Sequence, residues 1–212
     1  MSQDSLTETS LANAARYLAR GDRNLALILK NYGPPPMWAR RPGFTTLVRI
    51  ILEQQVSLAS AGSMFGRLKK NIVPLRPERF IELGVLHLRA LGMTRQKTSY
   101  CLHLSESIID NRLKLSGLSR MPDAEARSQL MEVKGIGSWS ADIYLLMALR
   151  RPDIWPASDL ALASAITSLK KLRRRPLPEA LSTIAEVWRP FRSVAARMLW
   201  QYYLAQRDSS GK

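Results

Sequence analysis

An all-α fold is what this chain of 212 residues predicts, on three observations. Apolar residues recur three and four apart in one stretch after another. No alternation of apolar and polar residues lasts long enough to build a strand. The helical stretches are punctuated by Gly, Pro and Ser/Thr/Asp signals of the kind that stop and start helices. The length is enough for one large domain or two small lobes with a real core.

Taken in order, residues 1–10 are polar and are expected to form a flexible tail. Leu11, Ala14, Ala15 and Leu18 share one helix face, and after a break at Gly21-Asp22 the pattern resumes with Leu25, Ile28 and Leu29. Gly33-Pro34-Pro35-Pro36 stops that helix, because proline lacks an N–H and restricts the residue before it. Met37 to Gly43 continues as a loop carrying Trp38, a core plug or a pocket wall. From Phe44 a helix runs through Leu47, Ile50, Ile51 and Leu52 until the amides of Gln54 and Gln55 interrupt it. Ser57 to Leu68 suggests the next helix, Pro77 to Leu83 a short one, and Gly84 to Leu91 another. Leu91-Gly92-Met93-Thr94 forms a turn with Thr94 as a candidate cap for a helix reaching about Asn111. Arg95 and Lys97 at that helix start oppose the helix dipole unless an anion sits there, so they read either as a phosphate contact or as a solvated basic turn.

Pro122-Asp123-Ala124-Glu125 opens a helix that leads into Leu130-Met131-Glu132-Val133-Lys134-Gly135-Ile136-Gly137-Ser138-Trp139-Ser140-Ala141. This stretch reads as helix, tight turn, helix. Gly135 and Gly137 suit a turn that needs positive φ or a close approach of the backbone to a partner. The unpaired N–H groups of the second helix make a ready phosphate site, although a plain packing corner explains the spacing as well. Ala141 to Leu149 is strongly apolar, and after Trp155-Pro156-Ala157-Ser158 a helix restarts just behind Asp159, which places a carboxylate at a helix N-terminus. That helix ends in Lys170-Lys171-Leu172-Arg173-Arg174-Arg175, favourable to the dipole without any partner. A penultimate helix ends near Trp188, and a long last one carries Val194, Met198, Leu199 and Trp200.

Composition narrows the partners. Lys plus Arg number 32 against 17 Asp plus Glu, a formal net charge of +15. A charge of that size favours a polyanion such as nucleic acid or an anionic membrane face, with a solubility surplus as the plain alternative. Cys101 is the single cysteine, which excludes an intramolecular disulfide and a four-cysteine iron–sulfur cluster and makes a reduced compartment the simpler expectation. His87 and His103 stand isolated and make no metal site. The first residues carry no signal pattern, and no apolar run reaches the roughly 18 residues that a bilayer span needs. A cytoplasmic protein is expected, or a nuclear one in a eukaryote, with no membrane partner.

Hairpin turn, apolar helix, short loop and an acid opening the next helix together resemble the helix-hairpin-helix DNA glycosylases, nearest to the DNA-3-methyladenine glycosylase II branch. The segments Ile50 to Ser57, Ala90 to Lys97, and Trp188 to Ser193 running on to Trp200 agree, so the likeness covers roughly residues 36–206. It implies a two-lobed helical fold with a DNA-binding cleft between the lobes and no N-terminal β domain. The lobes would be 11–42 with 152–212, and 43–151 containing the hairpin at 130–141, together one compact catalytic unit. It further implies a monofunctional glycosylase of base excision repair that flips out alkylated purines such as 3-methyladenine and hydrolyses the N-glycosidic bond. Asp159 would be the catalytic carboxylate, Trp200, Trp139 and Trp38 the base pocket, and Gln55 the plug that fills the duplex. Lys134, Gly135 and Gly137 would hold phosphate, and the carbonyls of Met131, Val133 and Ile136 a Na+ or K+ ion. No organic cofactor is implied. The partner is double-stranded DNA with damaged bases, met by a monomer.

Two details refine the resemblance. Relatives that also cut the backbone place a lysine two residues after the second hairpin glycine, where this chain has Trp139, and an indole forms no imine. The branch's pocket tyrosine aligns with Ile143, leaving Tyr144 one residue off. Asp142 is the rival acid nearby, but it lies inside the helix after the hairpin. A helix-hairpin-helix protein that binds DNA without chemistry is the alternative from another class, and a basic RNA-associated helical protein is a third. The ordered set of hairpin, Asp159 and Trp200 speaks against both.

Overall fold

The structure, a computed structural model, describes residues 5–210. Among these residues it contains eleven α-helices, two 3-10 turns and no strand, as the apolar periodicity predicts. The chain divides into two compact units, Arg40–Leu149 and a terminal unit of residues 5–39 with 150–210.

The terminal unit opens with α1 (Glu8–Gly21) and α2 (Arg23–Tyr32). Of the expected tail, residues 1–4 lie outside the described residues, while 7–10 are not a tail. Thr7 and Ser10 form a reciprocal capping box that starts α1, and the Leu6 N–H donates to the Arg150 carbonyl at 2.8 Å. A polar sequence hides this because capping residues are themselves polar. Leu11, Ala14, Ala15 and Leu18 are buried on one stripe of α1. Asp22 then ends α1 and begins α2: its carboxylate accepts from the N–H groups of Asn24 and Leu25 and from the Trp188 indole at 3.0 Å. Gly33, at φ +72, closes α2 before the prolines.

The central unit follows with α3 (Phe44–Glu53), α4 (Leu58–Asn71), α5 (Pro77–Ala90), α6 (Arg95–Ile109), α7 (Asp123–Met131) and α8 (Ser138–Met147). Its core is α3, whose Leu47, Val48, Ile50, Ile51 and Leu52 are wholly buried. Each such side chain contributes roughly 1.5–3 kcal/mol relative to exposure. α3 packs on α4, α6 and α8. The buried charge at its end, Glu53, is held by both terminal guanidinium nitrogens of Arg40, at 2.8 and 3.0 Å, and by Arg49 at 3.1 Å. Pairing of this kind offsets the cost of burying a carboxylate. α5 bends at Gly84 (φ +67), so the two short helices expected there meet at the glycine.

The chain returns to the terminal unit for α9 (Leu160–Leu169), α10 (Pro178–Ala185) and α11 (Arg192–Ser210). There α11 packs on α1, α2 and α9. No helix among the described residues is long and apolar enough to cross a membrane.

Candidate active site

In the central unit, α7, a short turn and α8 form the hairpin that the glycine spacing announces. Gly135 sits at φ +96, and a Cβ placed on it would lie 2.2 Å from Cγ of the Tyr100 ring. Glycine is therefore required twice over, by backbone conformation and by the ring packed against it. Of the two options the sequence leaves for Gly137, positive φ or close approach of a partner, the first does not apply. Its φ of −86 and ψ of −179 are ordinary extended backbone, and a Cβ there would meet nothing within 4 Å. It stands at the N-cap of α8 with no side chain capping the helix, so its value is an uncovered approach to the N–H groups behind it. Lys134, just before Gly135 in the same turn, is exposed.

Arg127 of α7 and the buried Asp142 of α8 pair at 2.7 Å, tying the two arms of the hairpin together and giving Asp142 a structural task. A cavity of about 600 Å3 opens on the turn, with Gln55, Lys134, Gly135, Gly137, Met131, Val133 and Ile136 among its walls. The Val133 carbonyl accepts from the Ile136 N–H at 2.9 Å within the turn itself.

The loop from α3 to α4 faces the same cavity. Gln55 is exposed and takes a left-handed φ of +55, unusual for a residue with a side chain. Gln54, half-buried, turns the other way and donates to the Gly135 carbonyl and the Ser140 hydroxyl, both at 2.8 Å. The phosphate option for Lys97 fails. Its side chain is only 9% exposed and donates its ammonium to the Leu52 carbonyl, and burial lowers its pKa. Arg95 of the same turn is exposed. Burial pushes the Cys101 thiol up to about 12, against the pull of Lys97, which leaves it unfit as a nucleophile.

In the terminal unit, Asp159 caps α9. Its Oδ1 accepts from the N–H groups of Ala161 and Leu162, each at 3.0 Å, and from the Trp200 indole N–H at 3.1 Å. Asp159 and Trp200 are each 8% exposed. Trp38, on the loop after the three prolines and at φ +46, meets Trp200 edge-on, with ring centroids 6.3 Å apart and planes at 64°. Arg197, one turn before Trp200 and wholly buried, donates to the Met37 carbonyl at 2.9 Å and to the Ser193 carbonyl at 3.2 Å. Burial lowers its guanidinium pKa to about 10. This arginine fixes the Trp38 loop to the helix that carries Trp200. Nothing in the sequence pattern distinguishes it from the other basic residues of α11.

The structure thus brings Asp159, Trp200 and Trp38 into one group. Trp139 is half-buried in the first turn of α8, in the central unit. Tyr144 is core rather than pocket: it is fully buried and its hydroxyl accepts from the Gly43 N–H at 2.9 Å.

A family model described as HhH-GPD superfamily base excision DNA repair protein matches residues 48–190. YfjP of Bacillus subtilis (strain 168) is 27% identical over 187 residues, covering 84% of this chain and 65% of that protein. DNA-3-methyladenine glycosylase 1 of Schizosaccharomyces pombe is 28% identical over 200 residues, covering 91% of this chain and 88% of the relative. Among solved structures, Schizosaccharomyces pombe 3-methyladenine DNA glycosylase (Mag1) in complex with abasic DNA superposes with a TM-score of 0.82 at 26% identity. That match covers 89% of this chain and 95% of the other.

Proposed function

The chain belongs to the HhH-GPD superfamily of base excision DNA repair proteins, and from that premise we propose that it is a monofunctional DNA glycosylase releasing alkylated purines such as 3-methyladenine. The observation that carries the proposal is the placement of Asp159. Its carboxylate is held by two backbone N–H groups and an indole N–H, away from bulk water, beside a pair of tryptophans. The relatives and the Mag1 complex named above support the substrate class by their names.

The chemistry asks for little more than this. An alkylated purine already carries positive charge and leaves as a neutral base, so acid assistance is dispensable. What remains is to stabilise the oxocarbenium-like sugar and to direct a water, and a buried carboxylate does both electrostatically. The cationic base is attracted by the electron-rich indoles of Trp200 and Trp38. Lys134 and the N–H groups at Gly135 and Gly137 anchor a phosphate without reading sequence, and Gln55 fills the vacated stack. Trp139 stands where a lyase would need an amine, so the reaction stops at the abasic site.

Met131, Val133 and Ile136 line the cavity, and their backbone carbonyls, of which that of Val133 also accepts from the Ile136 N–H, are of a donor type that suits Na+ or K+. Such an ion would add positive charge beside the phosphate anchor. The protein acts as a monomer, in the cytoplasm or wherever the host keeps its DNA.

The deciding experiment is incubation with duplexes carrying 3-methyladenine, 7-methylguanine, hypoxanthine or 1,N6-ethenoadenine, followed by alkali. Strand breaks at the alkylated purines are expected. Duplex binding with no breaks on any of the four substrates would establish the non-catalytic alternative.

A further inference from the structure

We propose that Gln54, the neighbour of the plug residue, is a positioning residue for base extrusion: its one amide fastens the loop that carries Gln55 to the hairpin. The inference rests on the reading of the protein as a base-extruding glycosylase, and on geometry confined to the central unit.

The loop between α3 and α4 is only residues 54–57, and its conformation is not one that the chain adopts freely. Gln55 holds a left-handed φ of +55, which costs a residue with a Cβ on the order of 1 kcal/mol and persists only where the surroundings impose it. Two supports impose it here. On the helix side, the Lys97 ammonium satisfies the Leu52 carbonyl, one of the end carbonyls of α3 that lack a partner within the helix. On the hairpin side, the Gln54 side-chain nitrogen uses both of its hydrogens, one on the Gly135 carbonyl and one on the Ser140 hydroxyl, each at 2.8 Å. The first partner lies in the turn itself and the second in the opening turn of α8. A phosphate seated on the hairpin and a side chain projected from residue 55 therefore belong to one braced piece. Without the amide, the turn keeps its shape through Tyr100 and Gly135, but the loop is free to relax to a right-handed residue 55, and the plug no longer projects.

A positioning role of this kind acts on extrusion and leaves bond cleavage alone, so its loss matters where a base must be pulled from a paired stack. Extrusion costs least when the lesion is already unpaired. The test compares single-turnover base release from a paired duplex and from the same lesion in a single strand. 2-Aminopurine placed beside the lesion reports unstacking. Gln54→Leu, similar in size but with no donor, is expected to lower release from the duplex about tenfold, the scale of one or two hydrogen bonds, and to leave the single-strand rate within about twofold.

Gln54→Glu supplies the second variant. A carboxylate cannot donate to the Gly135 carbonyl but a carboxylic acid can, so its duplex rate relative to wild type is expected to recover as the pH falls. Ser140→Ala removes one of the two bonds and is expected to fall between wild type and Gln54→Leu. Equal losses on both substrates, or no loss on either, would overturn the proposal. Should wild type release no base from either substrate, the glycosylase reading fails. The 2-aminopurine signal then judges Gln54 alone: an unchanged signal on binding by Gln54→Leu overturns its positioning role.

Discussion

Replacing Asp159 with asparagine separates charge from shape at the candidate catalytic residue. The Oδ1 of Asp159 accepts three hydrogen bonds, from the N–H groups of Ala161 and Leu162 and from the Trp200 indole. An asparagine oxygen can accept the same three, and asparagine caps helices about as well as aspartate. The structural loss is therefore the difference between charged and neutral acceptors plus the interaction with the α9 dipole, about 1 kcal/mol. For a chain of this length that is a melting shift of roughly 2–4 °C. The catalytic loss is larger. A carboxylate about 4 Å from a full positive charge, at an effective dielectric near 20, stabilises it by about 4 kcal/mol, which is on the order of 10³-fold in rate. The assay is single-turnover release of 3-methyladenine with alkaline cleavage of the abasic strand, run beside a melting curve and a duplex-binding titration. Asp159→Asn is expected to bind, to melt within a few degrees of wild type, and to lose about three orders of magnitude in rate. A variant that excises at the wild-type rate while melting normally would refute the electrostatic role and leave Asp159 a helix cap.

Other outcomes follow from the hairpin. Gly135→Ala should be strongly destabilising, because the added Cβ would lie 2.2 Å from the Tyr100 ring at a φ of +96, whereas Gly137→Ala should melt close to wild type. Equal melting temperatures for the two would remove the structural distinction between these glycines. Lys134→Ala should weaken binding to damaged and undamaged duplex alike and lower the slope of log affinity against log salt by about one unit. An unchanged slope would place this lysine off the phosphate path. Borohydride treatment in the presence of an abasic duplex should trap no adduct: Trp139 supplies no amine, and Lys97, whose pKa burial lowers, is committed to the Leu52 carbonyl. A covalent complex would identify another amine at work.

The fold was legible where backbone requirements restrict residue type. The break at Asp22, the stop at Gly33, the bend at Gly84 and the cap at Thr94 all sit where the sequence puts a residue suited to that geometry. Less was legible where a role depends on which way a side chain turns. Gln54 and Gln55 are chemically identical neighbours, yet one amide is bonded into the hairpin and the other, at a left-handed φ, is left exposed. Lys97 reads as a surface charge until its aliphatic stem is seen buried and its tip bonded to a carbonyl from another helix, a partner 45 residues away. Tyr100 fills the space that Gly135 leaves, and no spacing rule connects them.

Asp159 shows why two readings of one residue need not compete. In sequence, a helix cap and a catalytic acid look like rival explanations, since both ask for a carboxylate before an apolar helix. In the structure the capping geometry is itself what would make the carboxylate useful to catalysis. The N–H groups at the start of α9 are donors with no partner inside the helix, and they favour negative charge. A carboxylate fixed on them is aimed by the backbone itself. An ordinary cap stops there and sits at the surface. Asp159 is instead largely buried and takes a third hydrogen bond from the Trp200 indole on α11, whose ring stands edge-on to Trp38. That third donor comes from 41 residues away and has no part in starting a helix. It joins the charge that would stabilise the sugar to the ring that would hold the base, so a Trp200→Phe change should disturb both the acid and the pocket, whereas loss of a pure cap would touch α9 alone.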